Sequence, residues 1–89
     1  MNGDMLWDLV ITNPAARDLR AIPERDLRRV NAAFEAMRFN PYGGDIKLLR
    51  GSGGSFRRRV GSWRILFGVD QGKRTVVIFG VKRRTSTTY

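Results

Sequence analysis

The residues best equipped for chemistry are cationic and fall late in the sequence: Arg57-Arg58-Arg59, Arg64 and Lys82-Arg83-Arg84, followed by Tyr89. Arg keeps its charge at any pH and grips phosphate through a two-pronged guanidinium that Lys cannot copy. Side chains alternate along a strand, so Arg57 and Arg59 point one way and Arg58 the other. A tight turn at Gly61-Ser62 brings Arg64 back beside Arg57 and Arg59. With Arg83 these make four guanidinium groups expected to converge on one sheet face. Like charges so placed repel one another, which is poor for stability and good for gripping a polyanion. Lys82, adjacent to Arg83, is expected to face the other way.

The wider charge distribution agrees. Seventeen Lys and Arg against eight Asp and Glu give a net charge of +9. Residues 1–44 are balanced, with six basic and six acidic side chains. Residues 45–89 carry eleven basic residues against only Asp45 and Asp70, so the whole excess lies there. A confined cationic half favours nucleic acid as partner over a merely solvated surface.

Much chemistry is excluded outright. There is no cysteine and no histidine, which removes thiolate metal sites, cysteine nucleophiles, imidazole acid–base catalysis and the common zinc centres. Asp45 and Asp70 read as turn residues and suggest no metal site, and no cofactor is expected. Gly51-Ser52-Gly53-Gly54-Ser55 is glycine-rich, but no Gly-Lys-Ser/Thr follows, so it does not read as a phosphate-binding loop. The longest strongly apolar run, Val76 to Val81, is too short to span a bilayer, and the start lacks the features of a signal peptide. A cytoplasmic protein that does not engage membranes is expected.

The elements that must position the cationic residues can be read from periodicity. Met5 to Ile11 places Met5, Trp7, Leu9 and Ile11 on one face, as in a strand. Asn13 is a cap candidate, with Pro14 at the first position of a helix running to about Ala21. Pro23 opens a second helix in which Leu27, Val30, Phe34 and Met37 form a stripe, ending at Phe39-Asn40-Pro41. Asp45 to Ser55 reads as a connection. Three strands follow: Phe56–Val60, Trp63–Val69 and Arg74 to about Arg83, with a hairpin turn at Asp70-Gln71-Gly72-Lys73. The consecutive apolar residues Val76 to Phe79 suit a strand covered on both faces. Trp7 and Trp63 read as core or rim packing, and Thr85 to Thr88 as a polar tail. The expected fold is α+β, one small domain over residues 1–89 in the order β-α-α-β-β-β. An N-terminal strand precedes an antiparallel two-helix hairpin and a three-stranded antiparallel meander, with the helices on one sheet face.

Taken in order, several short motifs resemble those of the RelE/ParE superfamily of toxins from type II toxin–antitoxin modules. They are Lys47-Leu48-Leu49-Arg50-Gly51, Phe56 to Val60, Gly61-Ser62-Trp63-Arg64 running on to Phe67, Val81-Lys82-Arg83-Arg84 and Tyr89. Ile11-Thr12 through Leu19, with its alanines and Arg17, matches as well. The resemblance covers nearly the whole chain and implies a cognate antitoxin partner. RelE-type members cut messenger RNA in the ribosomal decoding site, whereas ParE-type members poison DNA gyrase. Because one fold hosts both, the site must decide.

The resemblance carries catalytic roles onto Arg57, Arg59, Arg64, Arg83 and Tyr89, with Arg84 an alternative to Arg83. All five positions are compatibly filled, which favours a metal-independent endoribonuclease acting on messenger RNA held by the ribosome. Lys47, Arg50, Arg58, Lys82 and Arg84 are read as RNA-binding, with contacts to ribosomal RNA included. The best-known members have Lys where this chain has Arg57 and Arg59, and Arg cannot act as a base. A helix following the tyrosine, as in some relatives, is not expected here. The implied reaction is attack of a ribose 2′-hydroxyl on the adjacent phosphate, with guanidiniums stabilising the added charge. Tyr89 serves either as proton acceptor, its pKa lowered by neighbouring Arg residues, or as a base-stacking side chain. No carboxylate is expected near the site. A gyrase inhibitor and a non-catalytic nucleic-acid-binding module are the rival readings.

Overall fold

The structure, a computed structural model, describes residues 6–51 and 53–84. Met5 and the Thr85–Tyr89 segment, including the catalytic candidate Tyr89, lie outside the described residues.

The chain begins with a short strand, β1 (Asp8–Ile11), which passes through Thr12 into α1 (Asn13–Arg20). The helix cap is Thr12 and not Asn13. Thr12 is extended, and its hydroxyl accepts from the Ala15 amide at 3.3 Å while donating to the Ile78 carbonyl at 2.8 Å. One side chain thus ends the strand, starts the helix and ties both to the sheet. Pro23 caps the start of α2 (Glu24–Phe39), whose buried stripe is Val30, Ala33, Phe34 and Met37.

Four strands follow: β2 (Ile46–Leu48), β3 (Phe56–Val60), β4 (Trp63–Asp70) and β5 (Thr75–Arg83). The sheet order is β1-β5-β4-β3-β2, with β1 parallel to β5 and every other pair antiparallel. β2 was expected to be part of a connection. Three residues are too few to show a period-two pattern; they become a strand because the loop behind them folds back, pairing Ile46 with Arg58 and Leu48 with Phe56.

The core lies on one face of the sheet. Ile65 and Phe67 of β4 and Val76 and Ile78 of β5 are fully buried against Val30 and Met37 of α2, and Ala15 of α1 joins them. Truncating a side chain as large as Phe67 there costs roughly 3–5 kcal/mol. Trp7 and Trp63 seal the rim. The Trp63 indole donates to Asp26 at 3.0 Å, and the Arg74 guanidinium lies 4.7 Å from the Trp7 ring centroid. No helix of the described residues is long and apolar enough to cross a membrane.

β5 is interior to the sheet, as its apolar run suggested, but it is not covered on both faces. Phe79 is 46% exposed and Val77 half-buried on the face opposite the helices. Phe79 is also a bulge: Leu66 pairs with Gly80 and Phe67 with Ile78, leaving Phe79 unopposed. The extra residue reverses the alternation beyond it, so that Val81 is buried although Ile78 is too. Beyond Ile78 the outer edge of β5 is no longer paired with β1. There α1 takes over, and the Asp18 carboxylate accepts from the Val81 amide at 3.0 Å.

Candidate functional site

The face opposite the helices gathers the cationic side chains. β3 and β4 form a two-residue hairpin in which Gly61, at φ +60°, supplies the left-handed first position such a turn needs. The hairpin sets Arg59 directly opposite Arg64 and Arg57 opposite Leu66. On its flanks, Lys47 of β2 faces Arg57 and Lys82 of β5 faces Arg64. Residues directly opposite in a ladder share a face, so Lys47, Arg57, Arg59, Arg64 and Lys82 form one array. Arg58 alternates to the other face, and its guanidinium packs against Gly44, where an added Cβ would approach within 2.7 Å.

Within the array lies an open groove of about 380 Å³, lined by Lys47, Arg50, Arg57, Arg59, Arg64 and Arg84. Leu48 and Leu49 supply its apolar wall. Arg84 is held at the groove by its own backbone, whose amide donates to the Ser62 carbonyl at the hairpin tip at 2.6 Å. Among the described residues no carboxylate pairs with Arg57, Arg64 or Arg84. The resulting field favours an anion with several oxygens, which several guanidiniums can bind at once.

Two expected positions change. Arg83 does not converge with Arg57, Arg59 and Arg64: it pairs with Trp63 across the ladder and sits 5.5 Å from that ring's centroid, on the helix side. Lys82, expected to face away, lies on the cationic face. The bulge at Phe79 causes both changes by shifting alternation by one, and Arg84 takes the groove position expected of Arg83. The signal was in the sequence: Gly80, an isolated glycine in a strand pattern, marks the bulge. Lys82 is drawn out of the groove by Asp18, whose Oδ2 lies 3.2 Å from its Nζ.

A carboxylate also stands nearer than expected. Asp45 Oδ2 is 3.8 Å from Arg59 Nε, and the Asp45 carbonyl accepts the Arg59 amide at 2.9 Å. The pairing of β2 with β3 brings the residue before β2 back against Arg59, which sequence spacing alone does not disclose. At 41% and 62% side-chain exposure the pair only partly offsets the Arg59 charge.

Comparison with known proteins agrees with this architecture. The model of the family described as ParE toxin of type II toxin–antitoxin system, parDE, matches residues 9–87. The toxin RelE of Mycobacterium tuberculosis is 30% identical over 88 residues, covering 98% of this chain and 91% of that protein. Among solved structures, the toxin–antitoxin complex RelBE2 from Mycobacterium tuberculosis matches with a TM-score of 0.80 at 34% identity, covering 90% of this chain and 93% of the matched one. The archaeal RelE–RelB complex from Pyrococcus horikoshii superposes with a TM-score of 0.79 over 93% of this chain and 100% of the matched one. At 22% identity that likeness speaks for the fold alone. With the family model matched over residues 9–87 and a relative 30% identical over nearly the whole of both chains, this protein belongs to the RelE/ParE superfamily of toxins of type II toxin–antitoxin systems.

Proposed function

We propose that the chain is a ribosome-dependent endoribonuclease that cuts messenger RNA and so arrests translation in the cytoplasm. The observation that carries this reading is the groove, in which Arg59 and Arg64 stand opposite each other with Arg57 and Arg84 beside them. A ribose 2′-oxygen attacks the adjacent phosphorus, the 5′-oxygen leaves, and the first product is a cyclic phosphate. The reaction needs no metal if cationic side chains stabilise the charge that develops on the phosphoryl oxygens. Arg57, Arg59, Arg64 and Arg84 are placed to do so, with Arg84 in the role first assigned to Arg83. Lys47 and Arg50 hold flanking phosphates, while Arg58 and Arg83, on the helix side, are outside the reaction. Tyr89 remains the proton acceptor or a stacking side chain, and Tyr89→Phe distinguishes them: only an acceptor is lost with the hydroxyl.

Alignment of the 2′-hydroxyl must come from outside so open a groove, and the decoding site that holds the message supplies it. The partner is a cognate antitoxin, as in the toxin–antitoxin complex that this chain resembles at 34% identity. The test is single-turnover cleavage on programmed ribosomes beside the same RNA free in solution. Cutting only on the ribosome supports the reading, whereas equally efficient cutting of free RNA counts against it. The description of the matched family as ParE favours a second reading, a gyrase inhibitor. Expression that damages DNA and leaves messages intact would select it.

A further inference from the structure

Phe79 has no part in the core or the groove, yet its position is specified. The bulge lifts it out of the ladder, and bulges commonly re-aim a side chain. The distal edge of its ring reaches Gly68, where an added Cβ would come within 3.2 Å of Cε2 and 3.3 Å of Cζ. That edge is seated against a residue with no side chain, and Phe79 as a whole is left 46% exposed. This is the same sheet face that carries the cations. Along β4 the positions facing that way are Arg64, Leu66 and Gly68, so the ring lies about 13 Å from Arg64 at roughly 3.3 Å per residue. Val10 and Val77, neighbours in the β1–β5 register, extend the apolar surface on its far side.

A cationic groove on the same sheet face as an exposed aromatic ring is the combination that binds single-stranded nucleic acid: charge tracks the backbone and the ring stacks a base. We propose that Phe79 is a base-stacking platform for a nucleotide flanking the one whose phosphate sits among Arg57, Arg59 and Arg64. The proposal rests on the reading of the groove as an RNA site. It adds a contact to the base beyond those to the phosphates, made by a residue that takes no part in the reaction.

The test measures the affinity of the whole chain for a short 2′-O-methyl RNA of mixed sequence, which binds without being cut. Phe79→Leu keeps an apolar side chain but removes the π face, and should weaken binding about tenfold with an unchanged salt slope. Phe79→Trp should bind as well as the parent or better, and Gly68→Ala, which pushes the ring off its seat, should weaken binding. Arg57→Ala, by contrast, should lower both affinity and salt slope. Equal affinity of Phe79→Leu and the parent overturns the proposal, as does loss in Phe79→Trp to the same degree as in Phe79→Leu. It is also overturned if Phe79→Leu impairs only association with a protein partner. Failure of the parent to cut ribosome-bound message would instead reject the nuclease reading, while the binding series still decides the stacking.

Discussion

Replacing Arg64 by Ala tests the groove where it is most sharply defined. Arg64 is half-buried, opposite Arg59 on one side and Lys82 on the other, so it occupies the middle of the cationic array. If the array stabilises the extra negative charge of the transition state, loss of one central donor costs about 3 kcal/mol, roughly a hundredfold in cleavage rate. Stability should move in the opposite direction. Two guanidiniums directly opposite across a ladder disfavour the folded state by about 0.2–1 kcal/mol, and Arg64→Ala relieves that repulsion from Arg59. The expected variant is slow and at least as stable as its parent. Arg64→Lys retains the charge without the two-pronged geometry and should fall between them. The assays are single-turnover cleavage on programmed ribosomes and thermal unfolding of the same preparations. A variant that is folded and cuts at the parental rate would refute the reasoning. So would one whose activity falls only in step with its unfolding.

Arg83→Ala should leave the cleavage rate within about threefold of the parent, because Arg83 lies on the helix side. Its loss removes a cation–π contact with Trp63 and should lower stability by about 0.5–1 kcal/mol in a thermal melt. Asp18→Ala removes the acceptor of the Val81 amide and the partner of Lys82, and should cost about 1–3 kcal/mol in urea unfolding. An unchanged urea midpoint would show that α1 does not need this carboxylate to seal the edge of β5. Association with an antitoxin should be fast at low salt and slow by about tenfold or more as salt is raised, as expected for a +9 chain with an open cationic groove. Stopped-flow rates that stay flat across the salt series would exclude electrostatic capture.

What could be read from the sequence was local. Met37 and Phe34 mark the buried side of α2, Pro14 and Pro23 mark helix starts, and Gly61-Ser62 marks the hairpin; each signal needs only neighbours a few positions away. The alternation of Arg57, Arg58 and Arg59 placed those three side chains correctly for the same reason. Three features were hidden because they depend on pairing. β2 exists only because β3 accepts it, and Asp45 meets Arg59 only through that pairing. Which of Lys82, Arg83 and Arg84 faces the groove depends on the register of β4 with β5, and a single unopposed residue, Phe79, reverses the answer. The cap at Thr12 was missed for a related reason: its hydroxyl also serves Ile78, 66 positions away.

The parallel pairing of β1 with β5 has a consequence for the order in which the molecule is made. Local contacts allow the helices and the β3–β4 hairpin to form as soon as their residues emerge during synthesis. β1, among the earliest structured residues, has no partner in the sheet until residues 75–78 are free. Arg84, which closes the groove, emerges later still. Until residues 75–84 emerge, a nascent chain therefore carries an unpaired first strand and an incomplete cationic groove. A chain cut short before residue 75 lacks both the strand that seats β1 and the last guanidinium of the site.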